Sequence, residues 1–155
     1  TLVAAMLHPW FEPRIVHRFR PADFSPAPGV DVVLLRLQRR ESPCLEVMAA
    51  EAYGDFVAHL FSAWKPTVRE ALHGIVTPRE ISGLEGELGR SLTIAPRDLP
   101  LDAWLALFRA MQAKCGYRLE QVTGARARLE RQQAGLQKEH RTRRTRPRER
   151  SGSAR

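Results

Sequence analysis

The chain has 155 residues, 43% apolar and 27% charged, enough for one ordinary domain with a buried core. Its longest apolar runs, VVLL and WLALF, fall far short of the roughly 20 residues that span a bilayer, and Cys44 and Cys115 have no close partner for a disulfide framework or a zinc knot. The net charge of +8 is uneven: residues 138–155 carry eight basic residues against Glu139 and Glu149, which leaves 17 basic and 15 acidic residues in the preceding body.

TLVAAML at the start lacks the charged region and small-residue cleavage site of a signal peptide, so a soluble, intracellular (cytoplasmic) protein is expected. HPWFEP (His8–Pro13) sets two aromatics between prolines and is read as a buried staple over a sheet. RIVHRFR (Arg14–Arg20) mixes β-branched and aromatic residues with cations and predicts a strand. The proline-rich PADFSPAPG is a loop. VDVVLLRLQRR (Val30–Arg40) is a second strand, which pairs antiparallel with the first. A two-stranded ribbon is marginal alone, and SLTI (Ser91–Ile94) is the candidate for a third strand.

Helices follow. Ser42 as cap and Pro43 at the first helical position open one that carries Leu45, Ala49, Ala52, Phe56, Leu60 and Trp64 at three- and four-residue spacing. Thr67 with Glu70, and Thr77 with Pro78 and Glu80, are capping signals for two more, the second turning Ile81, Leu84 and Leu88 inward. From Leu101 a 3-4 spacing persists through Trp104, Phe108, Met111, Cys115, Val122, Ala125, Leu129 and Leu136, as a bundle or coiled-coil seam requires. Gly116, Gly124 and Gly135 weaken it. The predicted fold class is α+β: a small two- or three-stranded antiparallel sheet with three to four helices over residues 1–116. A heptad-patterned helical extension over 117–138 and a disordered arginine-rich tail over 139–155 follow.

Chemistry-bearing motifs are few. Gly83, Gly86 and Gly89 stand three apart but lack the preceding strand of a phosphate loop, and close helix packing is the better reading. TPREISGLEGELGRSLTIAPRDLP suggests a helix-turn-helix, but Pro96 leaves too short a recognition helix. The five histidines show no metal spacing, and neither Cys44 with a histidine nor Asp31 with Glu46 has a nucleophile signature. No catalytic residue, metal or cofactor is therefore expected, and an enzyme is the less favoured class. The cations are the positive signal: Arg141, Arg143, Arg144, Arg146, Arg148 and Arg150 suit the phosphates of nucleic acid, DNA or RNA. Val122, Leu129 and Leu136 suit a homodimer or protein partner on the C-terminal helix. The expected function is a non-catalytic accessory nucleic-acid-binding protein or nucleoprotein subunit. The alternative is a protein–protein assembly module whose tail is incidental. If the tail is not the contact, Arg14, Arg18, Arg20, Arg36, Arg39 and Arg40 on the ribbon are the next candidates.

Overall fold

The computed structural model describes residues 1–135. Helix α1 (Leu2–Leu7) opens the chain, with the Thr1 hydroxyl accepting from the Ala4 amide at 3.3 Å. Strands β1 (Phe11–Phe19) and β2 (Val32–Arg39) then pair antiparallel, as their β-branched content predicts. The register sets Arg14 opposite Arg36 and Ile15 opposite Leu35. It then skips Val16, so that His17 meets Leu34 and Arg18 meets Val33. Side chains alternate along each strand, so one face of the ribbon presents Phe11, Pro13, Ile15, Leu35 and Leu37. The other presents Glu12, Arg14, His17, Leu34 and Arg36.

The α+β class holds, and among the described residues the expected two- or three-stranded sheet has two strands. Ser91–Ile94 directs its hydrogen bonds elsewhere: the carbonyls of Leu92 and Ile94 accept from the amides of Arg69 (2.9 Å) and Val68 (2.8 Å). These are orphan donors at the start of α3 (Val68–Leu72), so the segment caps a helix instead of joining the ribbon.

The helix expected from Ser42 starts later. The Cys44 amide donates to the Pro9 carbonyl at 2.8 Å, tying this stretch to the corner before β1. A 3-10 turn at Val47–Ala49 then leads into α2 (Ala50–Ser62). Tyr53, Phe56 and Leu60 of α2 are buried. Opposite lies α5 (Leu101–Cys115), whose Phe108 meets Tyr53 edge-on at 5.2 Å and whose Trp104 meets Phe56 at 6.4 Å. Between them in sequence, α4 (Pro78–Leu88) has the predicted capping box. The Thr77 amide donates to Glu80 at 2.6 Å, and the Glu80 amide donates to the Thr77 hydroxyl at 3.3 Å. Its Ile81 and Leu84 enter the core, and Gly89 ends it in the left-handed conformation. Gly83 and Gly86 face open space, so helix packing is not what places glycine there.

The 3-4 spacing of the C-terminal region runs through three segments rather than one rod. After α5 come a 3-10 stretch at Gly116–Val122 and a turn at Gly124, whose φ is +76°. Helix α6 (Ala125–Ala134) then folds back against α2. Asp55 fixes that return. It is 5% exposed, and its carboxylate accepts from the amides of Gly124 (2.7 Å) and Arg126 (2.9 Å) at the start of α6. Among the described residues no helix is long and apolar enough to cross a membrane.

Candidate nucleic-acid interface

Of the residues expected to make contacts, Arg141, Arg143, Arg144, Arg146, Arg148, Arg150 and Leu136 lie outside the described residues. Val122 is 1% exposed and belongs to the chain's own core. Leu129 is half-buried in a groove of about 400 Å³ that it shares with Leu2, Met6, Trp10 and Arg126.

The excess positive charge of the body lies on the ribbon and its loop. Residues 11–40 hold six arginines against Glu12, Asp23 and Asp31, whereas the rest of the described chain holds 11 basic and 12 acidic residues. Glu12 engages two of them: Arg14 Nη2 lies 3.4 Å from its carboxylate and Arg40 Nη1 lies 3.1 Å from it. Arg40 is partly buried and also donates Nε to the His8 carbonyl at 3.0 Å, so it braces the ribbon against α1. Arg20 pairs with Asp23 at 3.9 Å. Arg18, Arg36 and Arg39 are exposed and form no ion pair among the described residues. Arg36 faces Arg14 directly across the ladder, a like-charge juxtaposition that costs stability unless an anion lies over it. His17 and Phe19 share that face, their rings edge-to-face at 4.6 Å, and Phe24 covers Phe19 at 5.3 Å. Cations beside flat aromatic surface suit a polyanion that carries aromatic bases.

The other titratable groups do not add to this charge. Burial, and then the positive charge of Arg40, hold the His8 pKa down, although Asp102 lies 3.8 Å away and opposes the shift. Burial likewise lowers His59. The Cys115 thiol is pushed up chiefly by burial, which keeps it a small protonated hydrophobe. Among the described residues no group of three or more His, Cys, Asp or Glu is placed to hold a metal ion.

Sequence reasoning missed two residues. Asp55 sits among the apolar positions of α2 with no local partner, and only folding brings Gly124 and Arg126 to it. Trp64 was placed in the buried stripe of α2, but it is 94% exposed.

Comparison with known proteins gives these features a context. The mycinamicin-resistance protein MyrB of Micromonospora griseorubida is 27% identical over 109 residues, covering 70% of this chain and 35% of that protein. The ribosomal RNA small subunit methyltransferase A of Clostridium perfringens is 31% identical over 68 residues, covering 44% of this chain and 24% of its own. The crystal structure of the 23S rRNA methyltransferase ErmE superposes with a TM-score of 0.61 at 26% identity, over 72% of this chain and 46% of that one. The chain thus spans about a quarter to a third of the curated relatives it matches. Residues 2–98 match the family described as ribosomal RNA adenine dimethylase. That match overturns the expectation of a non-catalytic accessory protein, because the family is one of enzymes. Residues 1–155 carry none of the enzyme signatures considered above. A glycine loop for phosphates needs a strand leading into it, and both strands among the described residues are used in the ribbon. A family match covering well over half of the sequence, with both strands and helices α1 to α4 inside it, means that the chain belongs to the ribosomal RNA adenine dimethylase family.

Proposed function

We propose that the chain serves the methylation of adenine in ribosomal RNA, and that its contribution is to hold the RNA. The observation that carries this reading is that the family match over residues 2–98 takes in the whole ribbon, where the body's excess positive charge resides. RNA phosphate lies over Arg14 and Arg36, on the face they share with His17 and Phe19. It relieves the repulsion between the opposed pair and releases counterions. Arg141, Arg143, Arg144, Arg146, Arg148 and Arg150 extend the same contact beyond the described residues. A protein partner or second copy, if one binds, uses Leu129 and Leu136, since Val122 is already committed to the core. A protein that works on ribosomal RNA belongs in the cytoplasm.

A methyl donor is implied by the family. The glycines that could cradle one are poorly placed to do so, because Gly83 and Gly86 lie within α4 and Gly89 at its end.

The double substitution Arg14→Gln/Arg36→Gln tests the reading by moving two quantities in opposite directions. Affinity for a ribosomal RNA fragment falls about tenfold or more, while the melting temperature holds or rises slightly, because removing opposed like charges stabilises a strand pair by roughly 0.2–1 kcal/mol. Equal RNA affinity in variant and parent would refute the ribbon as the contact.

A further inference from the structure

Trp64 lies two residues beyond the end of α2 with φ +52°, the one non-glycine residue in the left-handed region among the described residues. A bulky residue there is strained, and here the strain is not offset by burial, since the side chain is 94% exposed. Its indole stands as a wall between two clefts. On one side a cleft of about 560 Å³ is lined by Phe61, Trp64, Lys65, Pro66, Pro96 and Arg97. On the other, about 510 Å³ lies between Trp64, Phe61, Leu129, Gln132 and Gln133. The floor is firm: Phe61 stacks on the buried Trp104 with ring centroids 5.4 Å apart and planes 15° from parallel.

The first cleft combines flat apolar walls with two cations and no acidic lining residue; Asp98, 3.6 Å from Arg97, stays outside it. The second adds two carboxamides, each able to donate and accept. An apolar protein segment would leave Lys65, which forms no ion pair among the described residues, without a counter-charge, and would use none of the charge of Arg97 beyond its contact with Asp98. A duplex would present phosphate but no free base face. An unpaired nucleotide supplies both an aromatic face and an adjacent phosphate.

We infer that Trp64 is a stacking platform for an unpaired nucleotide of the RNA, the indole taking the base and Lys65 and Arg97 the flanking phosphates. The inference rests on the RNA reading above and adds that single-stranded RNA is engaged at a second place, apart from the ribbon.

The test is intrinsic fluorescence and affinity of the full chain, titrated with a single-stranded RNA dodecamer and with the corresponding duplex. Trp104 is buried and Trp10 partly so, which leaves Trp64 as the exposed fluorophore. Single-stranded RNA is expected to quench the parent protein. Trp64→Ala loses that quenching and weakens binding about tenfold. Trp64→Phe keeps most of the affinity, and the duplex gives little quenching. Equal single-strand affinity in Trp64→Ala and parent, with the Arg14→Gln/Arg36→Gln protein still weakened, overturns this inference and leaves the ribbon reading standing. Absence of RNA binding in the parent overturns both. Shielding of Trp64 from acrylamide in the free protein, judged by parent against Trp64→Phe, would mean that another part of the chain covers it and also overturns the inference.

Discussion

Asp55, Tyr53 and Glu80 each tie together parts of the chain through hydrogen bonds, the first two from buried side chains and Glu80 at the surface. Asp55 satisfies two amides at the start of α6 from within α2. Asp55→Ala leaves both donors without a partner in a nearly closed space, which should cost about 2 kcal/mol. That corresponds to a fall of roughly 4–8 °C in melting temperature for a chain of this length. Thermal unfolding checks this, with Asp55→Asn expected between the two because it keeps one acceptor. The Tyr53 hydroxyl donates to the Ala5 carbonyl at 2.9 Å inside the core, and burial drives its pKa far above the ordinary phenol value. Tyr53→Phe should destabilise by about 1 kcal/mol while leaving the aromatic packing with Phe108 intact. Glu80 is held at about 2 by the Thr77 amide, the Thr77 hydroxyl and the Tyr117 hydroxyl. Its folded-state pKa is depressed. Its contribution is therefore complete above the unfolded value near 4.5 and is lost as pH falls toward about 2. Denaturant midpoints measured between pH 5 and pH 2 should fall less steeply in Glu80→Gln than in the parent.

At the scale of elements, α4 shows what the surface glycines do. Gly83 and Gly86 lie in the helix interior, exposed, with nothing within reach of an added Cβ. Gly83→Ala and Gly86→Ala should each stabilise by about 0.5–1 kcal/mol, seen as a shift in urea midpoint with unchanged slope. If either destabilises, a neighbour from outside residues 1–135 approaches that face. The elements legible in sequence are those whose signals are local. The ribbon follows from β-branched content on both sides of a proline-rich loop, and α4 from Thr77, Pro78 and Glu80 within four residues. The misreadings arose where a distant hydrogen bond competes with a local signal. Ser42 and Pro43 look like a helix start, but the bond from Cys44 to Pro9 holds that stretch away from helical geometry. Ser91–Ile94 has strand composition, but its carbonyls serve α3. Periodicity correctly groups Phe56 and Leu60 on one face yet cannot say where the helix stops. Since α2 ends at Ser62, Trp64 leaves the stripe it was assigned to.

For the molecule as a whole, composition pointed to a basic tail as the source of function, whereas the described body has its own charge separation. A cationic ribbon stands beside a nearly neutral helical pack. This separation could be read once the strands were placed, because Arg14 and Arg36 are 22 positions apart and only the register sets them opposite each other. The candidate site was thus half legible: its residues were named, but their pairing, and the exposure of Trp64 beyond the end of α2, were not. The family was not legible, since none of the motifs sought in the sequence marks it, and the match over residues 2–98 alone supplied it.

The most direct test of RNA contact through the ribbon is the slope of log affinity against log salt for a single-stranded ribosomal RNA fragment, in the parent chain and in Arg14→Gln/Arg36→Gln. Each phosphate contact on a single strand contributes about 0.7 to that slope, so the loss of two should flatten it by about 1.4. An unchanged slope, at whatever affinity, would contradict ribbon contact and move it to the arginines beyond residue 135.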